Sequence, residues 1–443
     1  MTEAVIPTAP PRERMSAESR RSTVGAFLGY FVDFYDIYLP TIALAPALAY
    51  FQPKDLGTVA STTIYYITFV VTLIGRPVGA AIFGHLADSI GRKRTTVVAI
   101  GGFGVVTLLI GLLPGYGSWG WFAIVALILL RFVDGVFLGG EYTAAVPLAM
   151  ERAPQTRRAE VSARIMLGYP FAFIAISALT TLMLFVAPTA SGAYLSWGWR
   201  LPFFVGALLS VAVLLYFRQV EDDEPAASGS QESPLRALLA KGPNRRSLAQ
   251  IFLLMTGMWL SLQTAVSMMP GLLTKVLKLP STAVTVGTMT MFAVLAIVYL
   301  GVGRLAERIG RRAVLVLFAA LTATVVPVVY VVMIANADPD GGAVGTLVLA
   351  GVVVVIANAP WCILSAYLPE RFPPEVRASG FGVGYTFAVL IPSCYSFFLL
   401  WLDALLPYKY TQIPLVVLGG LLALAGALMG PETRHADLTR GTR

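Results

Sequence analysis

Runs of apolar residues long enough to cross a lipid bilayer recur about a dozen times along this chain, and that recurrence dictates its fold class, because each spanning helix needs roughly 20 such residues. In the first half the runs predict helix 1 over residues 23–50, helix 2 over 58–87, helix 3 over 95–113, helix 4 over 120–150, helix 5 over 162–187 and helix 6 over 199–218. In the second half they predict helix 7 over 248–274, helix 8 over 281–303, helix 9 over 313–336, helix 10 over 344–368, helix 11 over 377–403 and helix 12 over 411–430. Only 13% of the residues are charged and 57% are apolar, against about 25% and roughly 45–50% in soluble domains, so the bilayer is the solvent. The expected fold is an all-α integral membrane protein of twelve transmembrane helices in two pseudo-symmetric six-helix bundles. Residues 219–247 form the one long polar interruption and read as a linker between a bundle at 23–218 and a bundle at 248–430, with tails at 1–22 and 431–443. The first 22 residues lack the short apolar segment of a secretory signal, and Cys362 and Cys394, both inside apolar runs, read as free thiols.

Lysine and arginine set the expected orientation, since cytoplasmic loops carry their excess. Of the 32 basic residues, 25 fall in the two tails, the linker and the loops after helices 2, 4, 8 and 10 or at the helix ends that border them, which places both termini in the cytoplasm. The net charge of +8 is spread over those loops, where it meets anionic lipid; no nucleic-acid partner is implied.

The halves are related by an internal repeat. GHLADSIGRK (Gly84 to Lys93) and GRLAERIGRR (Gly303 to Arg312) agree at six of ten positions, 219 residues apart. The same offset carries Glu151, Arg152, Pro154 and Arg158 onto Glu370, Arg371, Pro373 and Arg377. Two unrelated loops keeping one register imply a duplicated six-helix unit, an architecture that puts cargo near the midplane between the halves.

The first of these segments resembles the signature between helices 2 and 3 of the major facilitator superfamily. Together with RPVGAAIFGHLADSIGRK (Arg76 to Lys93), RFVDGVFLGGEY (Arg131 to Tyr142) and SWGWRLPFF (Ser196 to Phe204), it resembles the metabolite:proton symporter family, which carries organic acids, proline and betaines. The resemblance implies a gate of Gly84, Asp88, Gly91, Arg92, Glu151 and Arg158, repeated as Glu307, Arg311, Glu370 and Arg377. In it Asp88 meets the start of helix 11, whose dipole favours negative charge, close to Arg158 and Glu151. Ser89 stands where the signature has a basic residue, whereas the second copy keeps Arg308. Topology alone would need the positive charges but not the acids, which favours gating.

Ionisable groups inside a span are costly and mark ion or solute pathways. Here they are Asp33 and Asp36 in helix 1, Arg76 in helix 2, and Arg131, Asp134 and Glu141 in helix 4. At 1.5 Å per residue, Asp33, Asp36 and Arg131 lie about 15–20 Å from their respective membrane ends and so meet near the midplane, with Arg76 level with Glu141. The Phe34–Asp36 FYD resembles the acidic motif of helix 1 in this family and in sugar symporters, where the Asp faces a helix 4 arginine. The expectation is that Asp36 couples protons, with Asp33, Glu141 and Asp134 as alternates, and that Arg131 binds a carboxylate. Arg76, Tyr35, Tyr66, Trp259, Gln263, Asn358, Trp361 and Tyr385, along with Tyr30 and Tyr38, are further candidates to line the path.

These readings predict a proton-coupled symporter of a small organic anion or zwitterion: a multi-pass, monomeric protein of the plasma (inner) membrane. No metal cluster, cofactor loop or catalytic constellation is present in the sequence pattern, so no cofactor and no enzymatic activity are expected. The alternatives are a sugar symporter, suggested by PETR (Pro431 to Arg434), a drug:proton antiporter, disfavoured by a helix 5 without GPxxGG, and a non-transporting membrane sensor.

Overall fold

The computed structural model describes residues 14–53, 55–56, 58–217, 238–239, 242–337, 342–436 and 438; the side chains of residues 45, 58–63, 65, 66, 88, 92, 141–145, 275 and 396 lie outside the description. Most of the expected linker at 219–247, and the N-terminal tail up to residue 13, fall outside it as well. The described residues form twelve helical rods arranged as two six-helix bundles. Eleven of these rods, among the described residues, are long and apolar enough to cross a membrane. The remaining rod, helix 1, begins at Ala17–Tyr38 with Ser16 capping the amide of Ser19, and the charges it carries lower its hydropathy.

Helix ends depart from expectation mainly at the end of the molecule that carries the termini. Helix 2 runs over Thr58–Ile90 and helix 8 over Ser281–Ile309, each a turn or so longer than its apolar run. The repeated loops then turn on Gly91 (φ 98°) and Gly310 (φ 100°), a backbone region that side-chain-bearing residues avoid. Helix 3 (Arg92–Leu112) and helix 9 (Arg311–Ala335) start immediately after them. The repeat is therefore conformational as well as sequential.

Helix 4 (Trp121–Glu151) packs against helix 2 through interlocked glycines. A Cβ on Gly75 or Gly79 would strike the Phe132 or Val136 carbonyl, and one on Gly135 or Gly139 would strike the Thr72 or Arg76 carbonyl. Both pairs are four residues apart and so lie on one helix face, the small-residue spacing that lets membrane helices approach backbone to backbone. This contact fixes how deep Arg76 and Arg131 sit.

Several rods lose regular α-geometry where they face the cleft between the halves. Helix 1 continues as π-helix over Leu39–Leu44 and 3-10 helix over Ala45–Phe51. Helix 7 (Pro243–Leu262) is followed by π segments at Gln263–Ser267 and Leu272–Val276. Helix 10 (Val344–Asn358) tightens over Ala359–Ile363, and helix 11, starting at Arg377–Thr386, is interrupted at Phe387–Val389. Irregular backbone is tolerated at membrane depth where it is shielded by protein or lines a cavity. Cys362 and Cys394 are both free.

The glycine seam makes a direct prediction. Gly79→Leu or Gly135→Leu forces helices 2 and 4 apart and should destabilise the folded protein by at least the roughly 1–3 kcal/mol of an overpacked core, read as a lower melting temperature in detergent. Gly117→Leu, where a Cβ meets nothing within 4 Å, should leave it unchanged.

Candidate functional site

Asp33 and Asp36, one turn apart on helix 1, take partners from different helices. Arg76 Nη2 donates to Asp33 Oδ2 at 2.9 Å. Arg131 Nη1 lies 3.2 Å from Asp36 Oδ2 and 2.9 Å from Asp134 Oδ2. Asp36 Oδ1 is 2.5 Å from the hydroxyl of Thr107 on helix 3. All five charged side chains are at most 2% exposed. The expected match of Arg131 to Asp36 is therefore present, but Arg76 pairs with Asp33. Its carbonyl is pressed on Gly139 of helix 4, and its side chain leaves towards helix 1. The Glu141 side chain, its expected level partner, lies outside the described residues.

The two arginines differ in what surrounds them. Arg131 is enclosed within one half, among helices 1, 3 and 4. Arg76 stands at the seam between halves, with Tyr30 and Tyr385 as electrostatic neighbours, and its Nε and Nη1 find no hydrogen-bond partner among the described residues. Tyr385 of helix 11 belongs to an edge-to-face aromatic group with Trp259 and Trp361, at centroid distances of 5.2 and 6.1 Å, and the two tryptophans are 4.8 Å apart. Trp259 Nε1 donates to the Tyr385 carbonyl at 2.9 Å, while Trp361 Nε1 and Asn358 Oδ1 are buried without a partner among the described residues. Gln263 Oε1 accepts from Ser267, and Tyr35 donates to the Pro202 carbonyl at 3.1 Å, tying helix 1 to helix 6. The Tyr66 side chain lies outside the described residues.

A cavity of about 730 Å³ opens between the halves at the end away from the termini. Hydroxyl and amide groups such as Thr41, Ser177, Ser267, Thr288 and Gln412 line it, and no charged side chain among the described residues does. Of the aromatic and polar candidates with described side chains, Tyr38 alone is on its wall. Tyr38 packs on Phe173 at 5.1 Å, and Phe173 stacks on Phe292 at 4.0 Å, so rings from helices 1, 5 and 8 join the halves below the cavity. Phe173 and Phe292 were not singled out from the sequence, where they look like ordinary apolar filler.

At the termini-bearing end the repeated charges join the two halves. Glu307 accepts from the Ala159 amide at 2.6 Å, at the start of helix 5 (Arg158–Met166), and pairs with Arg311 at 2.9 Å. This is the acid-to-helix-start contact expected of Asp88, found in its second copy; the side chains of Asp88 and Arg92 lie outside the described residues. Helix 11 nevertheless starts against helix 2, with Ala378 packed on Ala87, and Gly84 is buried beside them. Arg377 bonds Glu151 at 2.6 Å, and Arg158 lies 3.9 Å from Glu370, so the two copies cross-pair between halves.

A segment not singled out among the charged residues of the sequence joins these contacts. Glu432, in PETR, accepts from the amides of Arg311 and Arg312 and caps helix 9. Thr433 donates to Glu370 at 2.6 Å, and the carbonyls of Ala436 and Leu438 accept from Arg158 and Arg377. Burial pushes the Glu370 carboxyl up to about 7, against the pull of Arg311, Thr433 and Arg158.

Two outcomes follow for the closed end. With its folded value at about 7, above the ordinary 4.5, Glu370 favours the folded state at low pH, and that contribution is lost as pH rises through 7. Melting temperature should fall between about pH 5 and about pH 8, and Glu370→Gln should remove that component. Ser162 of helix 5 donates to the carbonyl of buried Cys362. In a Cys394→Ser background, Glu307→Gln should therefore speed labelling of Cys362 by a thiol reagent applied from the termini side about tenfold, the effect of losing one charge-assisted hydrogen bond. An unchanged rate would mean that Glu307 does not hold the end shut.

Comparison with known proteins gives this architecture its context. The Major Facilitator Superfamily is matched over residues 26–396. The inner membrane metabolite transport protein YhjE of Escherichia coli (strain K12) is 31% identical, with 94% of each chain covered. The shikimate transporter of the same organism is 27% identical over 98% of this chain and 100% of its own. A structure of the proton:xylose symporter XylE bound to 6-bromo-6-deoxy-D-glucose superposes with a TM-score of 0.73 at 15% identity, covering 96% of this chain and 99% of that one, which speaks for the fold alone. With twelve rods in two bundles, a polar cleft between them and relatives that move small solutes, the chain belongs to the major facilitator superfamily and is a secondary transporter, not an enzyme.

Proposed function

We propose that the protein is a proton-coupled symporter of a small organic acid or zwitterion, working by alternating access with both termini in the cytoplasm. On that orientation, which rests on the distribution of lysine and arginine, the cavity faces outward and the charge network seals the inner side. The observation that carries the reading is Arg76: a buried guanidinium at the seam between halves, held to Asp33 by one hydrogen bond and with two further N–H groups unused. A carboxylate that takes Nη2 from Asp33, with Nε or Nη1 beside it, gains a bidentate, charge-assisted pair. Trp361 Nε1, Asn358 Oδ1 and the ring faces of the Trp259 group are placed to meet the remainder of the cargo, including a cationic end. The shikimate transporter's name, that of a carboxylate carrier, agrees with this class.

Coupling follows from competition. A carboxylate on Arg76 displaces Asp33, which is left buried without its cation and takes up a proton, because a bare charge is costly there. Cargo and proton then cross together. This assigns to Asp33 and Arg76 the exchange that sequence alone placed at Asp36 and Arg131; Arg131 is already met by two carboxylates inside one half.

Uptake into proteoliposomes across a panel of carboxylates, betaines and sugars, with and without an imposed pH gradient, tests the reading. Asp33→Asn should keep exchange of cargo and lose uphill accumulation. Arg76→Lys, which cannot reproduce the fork, should weaken uptake of an acid about 10–100-fold, the range for losing a hydrogen bond to a charged group. The uncharged cavity wall favours one rival, a neutral sugar or polyol; a neutral solute as the sole cargo would overturn the proposal.

A further inference from the structure

One hydroxyl of the first half is inserted into the backbone of the second. Helix 10 tightens to 3-10 geometry over Ala359–Ile363, where Pro360 has no amide hydrogen to give an α-helix, and returns to α-geometry over Leu364–Tyr367. In an unbroken α-helix the Ala366 amide would donate to the Cys362 carbonyl. Here both groups bond to Ser162 of helix 5: its hydroxyl donates to the Cys362 carbonyl at 2.7 Å and accepts from the Ala366 amide at 3.2 Å. Ser162, Cys362 and Ala366 are all fully buried. The tight turn itself ends in a bond from the Leu364 amide to the Trp361 carbonyl, three residues back.

Ser162 reaches this place because helix 5 starts hard against the other half. Glu307 of helix 8 accepts from the Ala159 amide, and a Cβ on Gly303 would strike the Ala163 Cβ. Ser162 lies in the same stretch of helix 5, which also packs on the tight segment of helix 10. A run of 3-10 helix as long as Ala359–Ile363 is uncommon, because its hydrogen bonds are poorer than those of an α-helix, and in the middle of a rod it marks a hinge. A side chain inserted between an amide and the carbonyl four residues back is one way to hold such a distortion.

We propose that Ser162 is a positioning residue: it holds helix 10 in its tight form while the halves meet at the termini-bearing end, and its withdrawal when they part lets Ala366 bond Cys362 directly and turns Trp361. The backbone is never left unsatisfied, since carbonyl and amide exchange the hydroxyl for each other. The hydroxyl falls back on the carbonyl four residues earlier in its own helix, as buried Thr264, Thr288 and Thr386 do in theirs. Relaxing the segment from about 120° to about 100° per residue turns its two ends by about 100° against each other and shortens it by about 2.5 Å. Trp361 stands in the middle of that segment, in edge-to-face contact with Trp259 of helix 7 and Tyr385 of helix 11. Half of that rotation takes its ring out of both contacts. Closure of one end is thereby felt at the aromatic group between the halves, through the backbone of helix 10. This coupling rests on the alternating-access part of the proposed function and is independent of proton coupling and of the cargo's chemistry.

Fluorine NMR of the full chain carrying 5-fluorotryptophan, in lipid nanodiscs without cargo, tests it. The chain has seven tryptophans, and Trp361→Phe identifies the resonance of Trp361. Ser162→Ala should favour a second Trp361 resonance by about fivefold, the effect of one net hydrogen bond. Ser162→Thr, which keeps the hydroxyl, should restore the wild-type resonance. Glu307→Gln, which loosens the same end, should favour the same second resonance and add little to it in the Ser162→Ala background, since both act through one contact. A Trp361 resonance that Ser162→Ala leaves in place, or a Glu307→Gln effect undiminished in Ser162→Ala, would overturn the proposal. Labelling of Cys362 from the termini side, in the Cys394→Ser background, reports opening of the end separately. Faster labelling with Trp361 unmoved overturns the coupling and leaves alternating access standing. Labelling that neither Glu307→Gln nor Ser162→Ala accelerates means that this end does not part, and overturns the alternating-access reading together with the coupling. Should Ser162→Ala fail to fold, Glu307→Gln alone still decides, because its Trp361 resonance must move.

Discussion

A guanidinium inside a lipid-embedded bundle must be met by carboxylates, and the first half of this protein is organised around meeting two of them. Arg76 and Arg131 are among the largest fully buried side chains of the molecule. Their positions are not set by their own bonds but by the glycine contact between helices 2 and 4, where backbone touches backbone. Helix 1 supplies Asp33 to one and Asp36 to the other, which fixes its rotation and depth. Buried pairs of this kind contribute little net stability, since the desolvation of both partners offsets their attraction. Their worth lies in register: a helix 1 turned by one residue would leave Arg76 without its carboxylate and Arg131 with Asp134 alone, the first at a cost of several kcal/mol.

The two charge networks serve different ends because water reaches them differently. At the termini-bearing end, Glu307, Arg311, Glu370, Arg158, Arg377 and Glu151 join one half to the other, and many of their bonds go to helix starts or to carbonyls of the C-terminal segment. When the halves separate, water can replace each of these contacts, so the seal is reversible at modest cost. The midplane cluster has no such exchange partner while it stays dry. The first network ties the two halves together at one end; the second is buried among helices 1 to 4 of the first half.

Much of this was legible in the sequence. Span count, the duplicated half and the levels at which the buried charges meet follow from hydropathy, repeat offset and helical rise, which are properties of a chain in one dimension. What a helix faces is not. Rise per residue put Arg76 at the right level but gave no direction, and the direction was decided by a glycine seam that turns its side chain to Asp33. Thr107 was hidden for a related reason: one hydroxyl in an apolar run satisfies itself on its own helix, and only a neighbouring carboxyl reveals a second role. Glu432 and the carbonyls of Ala436 and Leu438 belong to a short polar tail with no periodicity, and a tail becomes readable only when its contacts are seen.

That tail also breaks the symmetry on which the transport cycle depends. Repeat-related residues cross-pair between the halves as Arg377 with Glu151 and Arg158 with Glu370, an arrangement that treats both halves alike. The C-terminal segment adds contacts for one copy: Glu432 caps helix 9, Thr433 binds Glu370, and Arg434 reaches the Arg308 carbonyl. Residues 431–438 follow the last helix of the second half, and their contacts also reach helix 5 of the first through Arg158. They therefore bridge the seam. Two parallel copies of one unit place like loops at the same end, so the tail adds to a set of contacts between halves that the repeat already supplies there.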